Sequence, residues 1–475
     1  MFCCVRLSSF LLPLLCLLLA LFFSSLGEGK EFGTASSSGS TADGLEEWGY
    51  VQVRPKAHLF WWLYRSPQRV VNGETPWPIV LWLQGGPGSS GVGIGNFQEI
   101  GPLDLNLKTR NSTWLQKADL LFVDNPVGTG YSYVENTDLF VKTDEEAAID
   151  LTTLLKFIFN ENEKLQKSPL YIIAESYGGK YAVTLGLSIL DAVQSGHLKL
   201  KLGGIALGDS WISPEDFVFS WGPLLADVSR LGRNGVEKSN SLAMKIKEQI
   251  KNGNYSGATD TWGELEDVIS RGSDGVDFYN FLLSNKEQVV AATTVKKYSN
   301  YLNDKSSISL GGLSGLMNGL IRRKLEIIPK NVSWGSQSDG VFHALYSDFM
   351  KPRINEVDKL LSKGVNIIVY NGQLDLICAT KGTEAWVQKL KWDGLNEFNS
   401  LDRRPMYCGG KDTNGITNGI TNGFTKSYKN LHFFWILGAG HFVPVDEPCI
   451  SLKMVGEITQ SPANVHMSDH TLVIT

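Results

Sequence analysis

The segment Leu170-Tyr-Ile-Ile-Ala-Glu-Ser-Tyr-Gly-Gly-Lys-Tyr181 passes from a short apolar run, through small residues around Ser176, into a stretch with helical spacing. A strand that turns at a serine and continues as a helix forms a nucleophile elbow. The turn lifts the hydroxyl to where a base can reach it and aims the next amide, that of Tyr177, at the charge an attacked carbonyl develops. Ala174 stands where a first glycine is usual, and it is small enough to fit. Five-residue matches of this kind arise by chance, so the reading depends on its surroundings.

Outward from this segment, apolar runs of strand length recur at Ile79 to Leu83, Leu120 to Val123, Ile205 to Leu207, Val365 to Tyr370 and Phe433 to Leu437, closely followed by Gly, Asn or Asp. Runs so short and so apolar read as strands buried on both faces. Helical spacing fills intervals between them, at Asp144 to Phe159 and Tyr181 to Val193, and this alternation predicts an α/β fold with a mostly parallel central sheet flanked by helices. From about Trp211 to His343 the pattern turns helix-like and charge-rich, for example at Val236 to Ile250 and Leu265 to Ser270, without a buried-strand signal. That stretch reads as an inserted, mainly helical cap over residues 211–345, between core parts 46–210 and 346–462, with a tail over 463–475. The repeat Asn414-Gly-Ile-Thr-Asn-Gly-Ile-Thr-Asn-Gly predicts a flexible surface loop.

A serine nucleophile needs a base, and the base needs an acid to fix its tautomer. Of seven histidines, His441 directly follows a buried strand, in Ile436-Leu-Gly-Ala-Gly-His; the others are expected in loops, the cap or the tail, or within a strand at His432. Asp375 follows the strand ending at Tyr370 through Asn-Gly-Gln-Leu. The chain order Ser176, Asp375, His441 is that of α/β-hydrolases, and three strand-end placements in one order outweigh any one alone. A second oxyanion donor is expected from an earlier strand-end loop, and Leu83-Gln-Gly-Gly-Pro-Gly offers Gly86. No metal-ligand spacing such as His-Glu-x-x-His occurs, so no metal or other cofactor is expected.

Together, Leu-Gln-Gly-Gly-Pro-Gly, Glu-Ser-Tyr-Gly-Gly-Lys-Tyr, Asp-Leu-Ile-Cys and Gly-Ala-Gly-His-Phe-Val-Pro resemble the motifs of the serine carboxypeptidases, over about Trp48 to Met454. Gln84 and Gly-Asn-Phe-Gln-Glu-Ile-Gly-Pro-Leu resemble most the branch that includes retinoid-inducible serine carboxypeptidase and its plant counterparts. The resemblance implies an α/β-hydrolase fold and removal of C-terminal residues from peptides through a Ser176-Asp375-His441 triad and an acyl-enzyme. It also implies that the substrate carboxylate is gripped by Gln84, Gly85, Glu99 and Glu175. Two carboxylates bind a third only when protons are shared among them, so activity is expected to peak at acidic pH. Three departures stand out: Gln84 replaces the common Asn, Ser89 replaces a common disulfide Cys, and one extra residue lies between Gln84 and Glu99. Cys378 matches a free cysteine near the substrate in some members. The alternatives are an acyltransferase of the same family, whose members usually carry Asp before the nucleophile, an esterase, and a non-catalytic secreted scaffold.

The 475 residues carry a formal charge of −5 with scattered basic residues, which argues against a nucleic-acid partner, and are 43% hydrophobic, enough for a full core. Arg6 before the apolar run Leu7 to Phe23, then small residues, reads as a signal peptide over 1–27, followed by a flexible leader over 28–45. No second run is long enough to span a bilayer, so no stable membrane partner is expected after cleavage. Sequons at Asn111, Asn254 and Asn331 predict glycosylation, and with the leader they predict a secreted or a vacuolar/lysosomal destination. Cys3, Cys4 and Cys16 lie in the leader. Among Cys378, Cys408 and Cys449 at most one disulfide can form, and whether Cys408 and Cys449 pair is open, as is a homodimer.

Overall fold

The structure, a computed structural model, describes residues 34–69, 76–284, 311–408 and 419–464. Its strands are β1 (Thr34–Ser40), β2 (Glu46–Arg54), β3 (Ala57–Tyr64), β4 (Ile79–Leu83), β5 (Asp119–Val123), β6 (Tyr133–Val134), β7 (Pro169–Glu175), β8 (Lys201–Gly208), β9 (Ile367–Gly372), β10 (Arg404–Tyr407), β11 (Thr421–Tyr428) and β12 (Leu431–Ile436). They form one mixed sheet in the order β1-β2-β3-β5-β4-β7-β8-β9-β12-β11-β10, with β6 paired to β3. The six strands from β5 to β12 are parallel, and both flanks are antiparallel. This is the α/β-hydrolase fold that the strand pattern predicts.

The parallel strands are those whose residues are apolar on both faces: all five of β4 and all five of β5 are buried. Each such Leu, Ile or Val contributes roughly 1.5–3 kcal/mol on full burial. The helix Asp144–Phe159 starts at Thr143, whose hydroxyl accepts from the Glu146 amide, and packs on the helix Gly178–Gln194 that leaves the elbow. Helices Pro214–Asp227, Arg233–Lys251 and Tyr255–Gly272 lie between β8 and β9, a stretch that no strand interrupts among the described residues.

Three local readings change. Within the stretch expected as a flexible leader, Thr34–Ser40 is a strand paired antiparallel with β2. His58, expected in a loop, lies on β3. The last residues of the Asn-Gly repeat enter β11, whose ladder with β12 takes them up; residues 414–418 of the repeat lie outside the described residues, as do the signal peptide over 1–27 and the tail from 465. Cys408 and Cys449 form a disulfide, and Cys378 is free and buried. Asn111, Asn254 and Asn331 are all exposed. No helix among the described residues is long and apolar enough to cross a membrane.

Candidate active site

Ser176 sits at the end of β7 with φ +60°, a left-handed conformation that a serine adopts only when its surroundings enforce it. Its amide donates to Gly208 O (3.0 Å), and its carbonyl accepts from Gly179 N (3.1 Å) and Trp211 N (2.9 Å), so β8 and the start of the cap clamp the turn. Gly85 lies directly against it. A Cβ at that position would stand 2.5 Å from Ser176 Cβ and 2.9 Å from Tyr177 N, so only glycine lets the β4 loop approach the elbow amide. Gly86 follows with φ +107°. The loop is strapped to the cap: Ser338 N donates to Gly88 O (2.9 Å), Gln337 Nε2 to Pro87 O (2.7 Å), and Ser89 Oγ bonds to Gln337 Oε1. Ser89 thus anchors this loop by a hydrogen bond.

The structure brings the predicted acid and base together. His441 Nδ1 lies 2.8 Å from Asp375 Oδ2, and both side chains are fully buried. A carboxylate only accepts, so Nδ1 carries the proton and Nε2 is left to act as a base. Cys378 N donates to Asp375 Oδ1 (3.2 Å). A cap segment holds both loops. Tyr279 O accepts from His441 N (2.8 Å), Phe278 O accepts from Leu376 N (3.2 Å) and Ile377 N (2.8 Å), and Phe281 N donates to Leu374 O (2.9 Å). Asp375, Cys378 and His441 each offer one ligand atom within 4.8 Å of the others, a metal-like cluster among the described residues. Burial pushes the Cys378 thiol well up, toward the neutral form that binds metals poorly, and Nδ1 is already engaged.

Gln84, Glu99 and Glu175 converge beside the elbow and are all buried. Gln84 Nε2 donates to Glu99 Oε1 (3.0 Å) and to Glu175 Oε1 (2.8 Å), while Trp82 Nε1 donates to Gln84 Oε1 (2.6 Å). Trp82 therefore fixes the amide so that its NH2 faces both acids. Burial pushes Glu99 up to about 7 against hydrogen bonds from Glu175 and Gln84 that favour its charged form. Glu99 is no surface residue. It projects from Gly91–Ile100, a helix wound with the wide π turn.

Beneath the elbow lies a network that local sequence patterns do not reveal. Tyr177 OH donates to Asp144 Oδ1 (2.7 Å). Lys180, fully buried, donates to the carbonyls of Asp348 and Phe349 and lies 3.5 Å from Asp144 Oδ2. Arg353 bonds Asp144 (3.0 Å), Asp348 (3.1 Å) and both oxygens of Glu145 (2.6 and 3.0 Å). The Phe349 ring stacks on Tyr177 and Trp211, so charge pairs and aromatic faces join the elbow helix to the residues that follow the cap.

The comparisons with known proteins show the family. The family model for serine carboxypeptidase matches residues 38–461. The chain is 62% identical to serine carboxypeptidase-like 51 of Arabidopsis thaliana, covering 95% of this chain and 98% of that one. It is 46% identical to the retinoid-inducible serine carboxypeptidase of Mus musculus, over 89% and 94% of the two chains. Among solved structures, the prohormone-processing carboxypeptidase Kex1(Δ)p of Saccharomyces cerevisiae shares the fold, with a TM-score of 0.74 at 22% identity over 87% of this chain and 91% of that one. The chain belongs to the serine carboxypeptidase family and is a hydrolase of the exopeptidase kind.

Proposed function

We propose that the chain removes C-terminal residues from peptides at acidic pH by way of Ser176, Asp375 and His441. In this reading Ser176 attacks the scissile carbonyl and His441 Nε2 takes its proton, while Asp375 stabilises the imidazolium. The amides of Gly86 and Tyr177 receive the oxyanion. His441 then returns the proton to the departing amine, and water releases the acyl group from Ser176 by the same sequence in reverse.

One observation carries the acidic range: the buried Gln84–Glu99–Glu175 cluster, in which Glu99 is pushed up to about 7. Below that pH Glu99 can donate its proton to the terminal carboxylate of a peptide, which stays ionised down to about pH 3.5. Above it, two negative carboxylates face a third, and binding is lost. An ester without a terminal carboxylate gains nothing from this pair, and an acyl donor gains as little. The leader and the exposed sequons support passage through the secretory route to the outside or to a vacuole or lysosome, with glycans at Asn111, Asn254 and Asn331.

The test is release of the C-terminal residue from N-blocked dipeptides at pH 5 and pH 8 by the wild type and Ser176→Ala. Expected are faster turnover at pH 5 and loss of roughly 10⁴ to 10⁶-fold in the variant. Equal or greater kcat/KM at pH 8 sinks the acidic range, and transfer from acyl-glucose donors without peptide release moves the assignment to an acyltransferase.

A further inference from the structure

Asp209 follows β8 at its carboxyl end, beside β9, and is fully buried. Its backbone is held at φ +41° by the bond from its amide to Tyr370 O (2.9 Å). Oδ1 accepts from Gly372 N (2.8 Å), whereas Oδ2 meets no donor among the described residues. The side chain instead faces the Asp375 carboxyl, at hydrogen-bonding range. The other ionisable groups around it are Asp446, which is acidic, and Tyr370 and Cys378, which burial keeps neutral. Two buried carboxyl groups in contact cannot both ionise without a cation, so one proton lies between them. Asp375 already accepts from His441 and from Cys378 N, and Oδ2 of Asp209 is the oxygen left to carry that proton.

We propose that Asp209 is a positioning residue for the triad acid: a neutral carboxylic acid whose Oδ2–H donates to Asp375 and holds it as an oriented, singly charged acceptor for His441. The donor spreads the charge on Asp375. The imidazolium is then stabilised only as far as turnover needs. The inference rests on the catalytic reading of Ser176, Asp375 and His441 and not on the peptide substrate.

The rate at which a fluorophosphonate labels Ser176 tests it, because labelling needs the triad but no terminal carboxylate. The rate is followed from pH 4 to pH 8 in wild type, Asp209→Ala and Asp209→Asn. Asp209→Ala is expected to lose about 10- to 100-fold, as for a hydrogen bond to a charged group, and to shift the acid limb of the profile upward by about one pH unit. Asp209→Asn, whose amide accepts from Gly372 and donates to Asp375, is expected to recover most of that rate and to restore the acid limb. An Asp209→Ala profile that overlays the wild type overturns the proposal, as does an Asp209→Asn profile no better than alanine. Should the alanine variant not fold, infrared difference spectra of wild type against Asp209→Asn at pH 7 decide: the carbonyl stretch of a protonated acid supports the proposal, and its absence overturns it. A wild type that takes no label overturns both this proposal and the catalytic reading, while normal labelling without dipeptide hydrolysis sinks the carboxypeptidase reading alone.

Discussion

Two acidic clusters meet the elbow with different partners. Glu99 and Glu175 face a neutral amide, that of Gln84, while the charges of His441 and Arg110 lower Glu99 less than its hydrogen bonds do, the hydrogen bonds of Arg110 going to the carbonyls of Phe97 and Gly101. Asp144, Asp348 and Glu145 face two full cations, Lys180 and Arg353. In the first cluster burial wins and Glu99 rises to about 7. In the second, burial still pushes the fully buried Asp144 up to about 6 despite Lys180 and Arg353, whereas Glu145, half exposed, is held at about 2 by the hydrogen bonds and charge of Arg353. Depth and partner therefore set protonation together. A site that must take up a proton near neutral pH is one in which burial outweighs the cations within reach.

The strongest way to break this contrast is to take a cation from the second cluster. Arg353→Met leaves Asp144 and Asp348 buried with Lys180 alone, and the expected loss is about 3–5 kcal/mol in urea unfolding at pH 6. A loss below about 1 kcal/mol would mean that the network is not held by charge. The next effect belongs to the first cluster and has the opposite pH sense. Glu99 has a folded value of about 7 against 4.5 for an ordinary glutamate, so its contribution to stability is fully present below 4.5 and is lost as pH rises to 7. At about 1.4 kcal/mol per pH unit this comes to about 3 kcal/mol of weakening between pH 4.5 and pH 8. Asp124, which burial also raises to about 7, adds a loss of the same sign, so the comparison must be with a variant. Glu99→Gln is expected to flatten the fall by about 3 kcal/mol, and in dipeptide assays KM should no longer climb between pH 6 and pH 8. Parallel stability curves for the two proteins would show that Glu99 is ionised throughout.

Local chemistry explains which of these features can be read from the chain. β4, β5 and β7 are legible because strands covered on both faces are continuously apolar, and Ser176, Asp375 and His441 are legible because each lies at or just beyond the end of such a strand. The β2–β3 hairpin turns on Pro55 and Lys56, the latter at φ +63°, without the Asn-Gly or Asp-Gly that announces a tight turn, so it passes unread. Glu99 could be named only by resemblance, because the π winding of its helix hides the usual period. The Lys180 network and the Asp209–Asp375 contact join residues more than 160 positions apart, and no spacing rule reaches that far. The clamp of Phe278 to Phe281 on the acid and base loops is of the same kind: the cap is visible as a change of pattern, but not its grip on the site.

The smallest effect sharpens the contrast from the rim of the second cluster. Lys351 lies 3.3 Å from Glu145 and 3.7 Å from Asp348, the acids that Arg353 also binds, yet its side chain is 35% exposed where that of Arg353 is 1% exposed. Water and salt screen a charge in that position, so Lys351→Ala should cost only about 0.2–1 kcal/mol, and the cost should fade in 1 M salt, where the screening length is about 3 Å. The Arg353→Met loss should survive the same salt, because its cause is an uncompensated charge sealed from solvent. If both losses faded together, the second cluster would be wet, and its difference from the Glu99 cluster would be one of solvent access and not of partner charge.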